Sequence, residues 1–421
     1  MTRWTIEPGG RAAQAPTVRK RNRRRVIIRT CPRVGLLALC LGIILPETGV
    51  RAQSSIHDSA GVTIVSNPGI DTPLEWSIRP VLRLGDALGP PETSFFNLTP
   101  YSVAAGPEGT ILVLNPGNYR VVVFSREGRV LRSFGRQGKG PGEMQNPVSI
   151  WVDAMGRIRV LDWAGGTLNY DLQGNLTTED PGAAMWLGQR MKETSAGLVH
   201  TVNVGLRSDT LLIEQLRIAT ATDTAVLAEW TQTPSTMIKH PTCPLEVQYA
   251  PVFAPEMVWD ANRMDVVVLA DYSYRIDMVG PEGRLMRSVR RGIEPRQTTR
   301  QDALRELGPE PGMTFPATET MPGMRCKWDP ESLLEERGFY PFLQALDAVA
   351  LSPDGYLWAR RLEPGDEPGP IDVFDPTGRY VGSLPPDTPF PNAFLDGTHY
   401  LTMETGELDV EYVSVHEIER D

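Results

Sequence analysis

The chain repeats itself at a fixed interval, and that interval excludes most architectures. PYSVAAGPEGTILVLNPGNYRVVVFSREGRVLRSFG, from Pro100 to Gly135, is echoed by PVSIWVDAMGRIRVLDWAGGTLNYDLQGNL, from Pro147 to Leu176. Pro100 and Pro147 stand 47 residues apart, as do Gly109 and Gly156, while Gly128 and Gly174 stand 46 apart. Further copies run from Phe253 to Val289 and from Leu343 to Leu384. A period in the forties is that of a propeller blade.

Each copy reads as four short strands. Alternating Val, Ile, Leu and aromatic residues are broken by turn dipeptides such as Glu108-Gly109, Glu127-Gly128, Glu282-Gly283, Asp354-Gly355 and Thr377-Gly378. Weaker units fill the gaps. Residues 198–230 hold three strand-like stretches without the glycine turns, and 393–418 give three strands before the chain ends. The strand missing there is expected at the other end, because PVLRLG from Pro80 matches RVLRSFG from Arg129, a fourth strand. The expectation is an all-β, six-bladed propeller, closed by pairing a strand near Val81 to Leu84 with the blade of 393–418 and so without open sheet edges.

Two insertions interrupt the repeat, at 231–252 and 290–342, and the hairpin 361–370 is rich in Pro, Gly and acid. All three join second to third strands or one blade to the next, so they emerge on one side of the ring. Loops of this length in a compact fold are usually functional or disordered. RQDALRELG (Arg300 to Gly308) and PESLLEERG (Pro330 to Gly338) read as short helices, which argues for order and makes this the expected working face. Cys243 and Cys326 fall in the two insertions and are expected to form a disulfide above the fourth blade.

The first 52 residues are a different material. They hold eleven Lys or Arg against Glu7 and Glu47, whereas the remainder holds 31 basic and 50 acidic residues, a formal charge of −19. A basic run (RKRNRRR), an apolar stretch from Val34 to Leu45 and the small pair Val50 and Ala52 follow one another as in an export signal. Cleavage after Ala52 and a periplasmic, cell-envelope or extracellular product are expected. The apolar stretch is too short to span a hydrocarbon core, so no transmembrane span is expected in the mature chain, residues 53–421, which reads as one propeller domain and a monomer. Its acidic body makes nucleic acid an unsuitable partner.

VFSREGRVLRSFGRQGKGPGEM and DGYLWARR…IDVFDPTGRYVGSL resemble NHL-type six-bladed propellers, and DSAGVTIVSN followed by a segment with Trp76 resembles bacterial exported propellers of that kind. The resemblance implies a fold and leaves the activity open, since propellers carry many chemistries.

Asn115, Asp162 and Asp271 recur at the ends of second strands. Either they converge on a Ca²⁺ or Zn²⁺ near the axis, as ligands do in gluconolactonase-like propellers, or they cap the turns they begin, which is the preferred reading. The five histidines form no metal motif, and the set that places zinc in peptide-amidating lyases of similar fold is missing. GRQGKGPGEM is followed by a strand where a phosphate cradle needs a helix. Tyr119, Arg120, Trp163, Tyr274, Arg275 and Arg360 lie in or beside the hairpins joining second and third strands and are candidate anchors for a ligand. The expected function is an exported scaffold, without cofactor, that binds a protein, glycan or small ligand on the long-loop face. The alternative is a metal-dependent hydrolase or lyase.

Overall fold

The computed structural model describes residues 54–420 apart from 87, 91, 182–186, 206–211, 221, 270, 271, 281, 316–323, 366, 407 and 408. The leader and Asp271 lie outside the described residues. Six sheets form in chain order. The first holds Val103–Ala105, Ile111–Asn115, Arg120–Phe124 and Val130–Phe134; the second Pro147–Val152, Ile158–Asp162, Gly166–Tyr170 and Leu176–Asp180. The third spans Leu187–Glu193, Leu198–Gly205, Leu212–Ala219 and Thr224–Thr231, and the fourth Val258–Ala261, Val266–Leu269, Arg275–Val279 and Leu285–Arg291. The fifth spans Leu346–Leu351, Leu357–Arg361, Ile371–Phe374 and Tyr380–Leu384. The sixth joins Ala393–Phe394, His399–Thr405 and Glu411–Glu419 to Ser77–Leu84 from the N-terminal side. Within each of these sets of four the neighbouring strands are antiparallel, and together they make a six-bladed β-propeller.

Position in the blade explains the sequence of each strand. Middle strands are sandwiched between neighbouring blades, so both faces are buried and mostly apolar: Ile111–Asn115 is buried at every residue and Ile371–Phe374 likewise. Outer strands meet water, and Val130–Phe134 is largely exposed. At the hairpins between third and fourth strands of the second and fifth blades an Asx turn precedes a left-handed glycine. Asp375 Oδ1 accepts the N–H groups of Thr377 and Arg379 at 2.8 and 3.0 Å, and Gly378 takes φ +85°.

The N-terminal segment crosses the fourth and fifth blades before it enters the ring as a strand of the sixth. The hairpin Ser55–Ser59/Val62–Asn67 extends the fourth sheet, Val62–Asn67 lying parallel to Leu285–Arg291. Leu74 donates to Ser383 O at 3.0 Å on the fifth blade. Ser77–Leu84 then pairs with Glu411–Glu419, with Leu82 opposite Val415 and Leu84 opposite Val413. Under this strap lies a buried charge network. Arg291 meets Asp372 at 2.8 Å with both side chains fully buried, and Asp71 bridges Arg291 and Arg361 at 3.1 and 2.7 Å.

The two insertions are ordered. Arg300–Leu307 is a helix opened by a Thr299–Asp302 capping box, and Pro330–Arg337 is a helix opened by Asp329 with Pro330 in its first turn; Gly308 and Gly338 end them. Thr236–Lys239 pairs with Glu246–Tyr249 and Gly312–Phe315 with Met324–Lys327. The Cys243–Cys326 disulfide joins the insertions. Around it Ile238, Trp328 and Leu333 form a small core. No helix among the described residues is long and apolar enough to cross a membrane.

Candidate functional site

The innermost strands of the blades surround the axis. On the insertion face they open into a cavity of about 1240 Å³, and on the opposite face into one of about 750 Å³. Pro100, Tyr101, Arg190 and Asn392 line both, so Arg190 marks the level at which they approach each other. The first insertion, with the connection that follows it, walls the larger cavity through Ser235, Gln248 and Ala254–Met257. That wall is braced by the second insertion: Val252 N–H donates to Gly338 O at 3.0 Å and Tyr340 N–H to Val252 O at 2.8 Å.

At the waist, Arg190 and Lys192 stand against Asp260 at 3.3 and 3.2 Å. Asp260 is buried, and its Oδ2 accepts the Leu351 N–H at 2.8 Å. Burial pushes its pKa up, but Arg190, Lys192 and the N–H groups of Leu351 and Ala261 outweigh that and hold it below the ordinary carboxylate range. The group therefore ties the third, fourth and fifth blades together beside the axis.

The larger cavity carries aromatic faces, Trp230, Trp259 and Phe390, beside polar groups. Trp230 Nε1–H donates to Pro255 O at 3.1 Å, which fixes its ring at the cavity edge. Glu214 lies among them with its pKa raised, by burial first and by Glu256 next, against hydrogen bonds from Thr201 and Gln232 that lower it. In the smaller cavity Glu193 is also raised, by burial and by Asp153.

The residues singled out in the sequence do not assemble at this site. Arg360 alone of the six candidate anchors lines the larger cavity, paired with Asp347 at 2.8 Å. Tyr274 is buried and donates to Asp372 Oδ2 at 2.5 Å, so it belongs to the charge network under the strap. Arg275 pairs with Asp277 at 2.8 Å and Arg120 with Glu92 at 2.9 Å. Tyr119 packs against the core between the first and second blades, and Trp163 against the cluster of Val148, Trp151, Leu161 and Met191. Asn115 Oδ1 accepts the Phe96 N–H at 3.0 Å and its Nδ2 donates to Ser94 O at 2.7 Å. The Asp162 carboxylate accepts N–H groups from Gln145, Asn146, Ala164 and Gly165 at 2.7 to 3.1 Å. Both stitch their own blade to its connections. Among the described residues, His240, Cys243 and Cys326 form the one converging set of three potential metal ligands, and two of these are joined as the disulfide.

The site residues that sequence reasoning passed over, Arg190, Lys192, Asp260 and Glu214, come mostly from the third blade. Its stretch 198–230 lacks the acidic-residue-glycine turns of the other blades, and its inner strand Leu187–Glu193 precedes that stretch.

Residues 104–181 match the family model DUF5128, described as a six-bladed β-propeller. The chain is also similar to a Bacteroides fragilis protein described as exported, at 13% identity over 85% of this chain and 99% of that one, with a TM-score of 0.49. Regucalcin of Agrobacterium tumefaciens, a calcium-binding protein, is 12% identical over 85% of this chain and 97% of its own, with a TM-score of 0.35. Virginiamycin B lyase of Staphylococcus aureus is 10% identical over 82% and 99%, with a TM-score of 0.36. No curated protein matches the chain.

Proposed function

We propose that this chain is an exported binding propeller that holds a polar ligand in the axial cavity on its insertion face. The observation that carries this is the cavity of about 1240 Å³ with aromatic faces and polar groups side by side. It exceeds the usual small-molecule pocket of about 300–1,000 Å³, so it suits an oligomeric ligand such as a short glycan or peptide. Ring faces stack on sugars or side chains while amides and carboxylates fix the orientation. Export rests on the leader, residues 1–52; N-terminal sequencing of exported material should read from Gln53, and a product that retains Val34 to Leu45 would make the segment an anchor. Capture from cell-envelope extract tests the binding site. Material retained by the wild type should be lost in Trp230→Ala and kept in Arg275→Ala, which lies off the cavity; equal retention by both variants would move the site elsewhere.

One observation favours hydrolysis or elimination on the same fold. Glu214 is a half-buried carboxyl in the cavity with a raised pKa, the setting of a general acid. Turnover of captured material that vanishes in Glu214→Gln while binding persists would decide for catalysis.

A further inference from the structure

We propose that the waist of the axial channel is an oxyanion site, where Arg190 and Lys192 take a carboxylate or phosphate group of the ligand. This rests on the axial cavity being the binding site and names the chemistry of one end of its occupant. The two cations share a face of the inner strand because residues two apart do so. Met191 between them is buried against the second blade with Trp151 and Leu161. On the side they face, one carboxylate meets two cations: Asp260 Oδ1 lies 3.3 Å from Arg190 and 3.2 Å from Lys192, and no other described carboxylate lies within 4.0 Å of either. Two positive charges thus answer one negative charge.

Arg190 is held in place. Its guanidinium donates to Trp259 O, lies 3.5 Å from Val349 O and sits 5.5 Å from the centre of the Trp259 ring. Lys192 is about a quarter exposed and lines the smaller cavity. An ammonium has three donors, and its one charged neighbour among the described residues is Asp260, an ion-pair contact at 3.2 Å. Of the acids that line the smaller cavity, Asp153 is matched by Arg157 and Arg159 at 2.7 and 3.2 Å, and Glu193 does not reach Lys192 or Arg190 within 4.0 Å. A surplus cation in a partly desolvated channel is best completed by an oxyanion, which accepts charge-assisted hydrogen bonds from both side chains. The overall acidity of the chain makes this local surplus the more selective, since anions are repelled from most of the remaining surface.

The test is titration of the purified chain with inorganic phosphate and, separately, acetate, at constant ionic strength balanced with chloride, read by calorimetry and thermal melting. One saturable site is expected for at least one of the two. Lys192→Met keeps the stem, leaves Arg190 and Asp260 as a balanced pair and should weaken binding by about tenfold, whereas Arg129→Ala on the exposed rim should not. Saturation by phosphate alone assigns a phosphorylated ligand, and saturation by acetate alone a carboxylate. No saturable site for either, or equal binding by Lys192→Met, overturns the proposal. If Lys192→Met does not fold, Lys192→Arg should retain the site, and its loss there overturns the surplus-charge argument. Capture that stays sensitive to Trp230→Ala while the anion titrations fail would remove this site alone and leave the cavity as the binding site.

Discussion

At the scale of single residues, the buried polar groups of this ring hold backbone in place, and their protonation sets its pH tolerance. His416 is buried, stacks on Tyr400 with ring centres 5.1 Å apart and meets Thr402 Oγ1 at 2.8 Å. Burial holds its pKa below the ordinary 6.5, against the opposing pull of Glu404, and burial does the same to His200. The unfolded chain takes up protons near pH 6.5 while the native histidines stay neutral, so the unfolded state binds more protons there and native stability falls as pH drops through that value toward the native pKa. The melting temperature should therefore fall between about pH 7 and about pH 5, and the fall should shrink in His416→Gln; an unchanged slope would mean that His416 does not contribute. Asp162 gives a second expectation. Replacement by Ala strands buried N–H donors and should cost about 3 kcal/mol, read as a lowered denaturation midpoint. Because the same oxygens are already occupied, EDTA should leave the melting temperature of the wild type unchanged; a drop of several degrees would assign a metal to Asn115 and Asp162.

At the scale of elements, the insertions act as one unit because covalent and apolar ties join segments far apart in sequence. The bridge spans 83 residues, for which the chain-entropy account gives about 4 kcal/mol of stabilisation. Thiol titration of the denatured, unreduced protein should find no free Cys243 or Cys326. The double Cys→Ser variant should lose that stability and bind cavity ligands more weakly, since the wall formed by Ala254–Met257 loses its brace; undiminished binding would show that the wall stands without the bridge. These elements were legible in the sequence for local reasons. Thr299 and Asp329 cap helices that Gly308 and Gly338 end, and left-handed glycines mark the hairpins of four blades. The candidate site was not legible for the complementary reason. In the third blade only Gly197 marks a hairpin among the described residues, ahead of strands of eight residues from Leu198 to Thr231, and the partners of Arg190 and Lys192 come from blades farther along the chain. Conversely, Tyr274 and Arg275 stood out as an aromatic-basic pair, yet one is buried in the charge network and the other is neutralised by Asp277. A motif reports residue types and not the side of the blade on which they fall.

At the scale of the whole molecule, the ring depends on a segment that contributes little to any single blade. Ser77–Leu84 supplies the outermost strand of the sixth sheet, pairing from Ser77 opposite Glu419 to Leu84 opposite Val413. Upstream of it, Asp71, itself half exposed, supplies a second carboxylate where Arg291 and Arg361 would otherwise share the buried Asp372 alone, and Val65 is fully buried beside the fourth blade's outer strand. Removing residues 54–85 would thus expose two sheet edges and leave two guanidinium groups against one carboxylate, a cost that burial magnifies. A propeller gains its cooperativity from closure, so the loss should not stay local: the truncated chain should show no cooperative thermal transition. Removing residues 54–60 is the matched control, because Ser55–Ser59 is exposed throughout and pairs with Val62–Asn67 alone. That variant should melt within a few degrees of the full chain. If the longer truncation melts like the shorter one, the strap is dispensable and the blades hold the ring closed by their mutual packing.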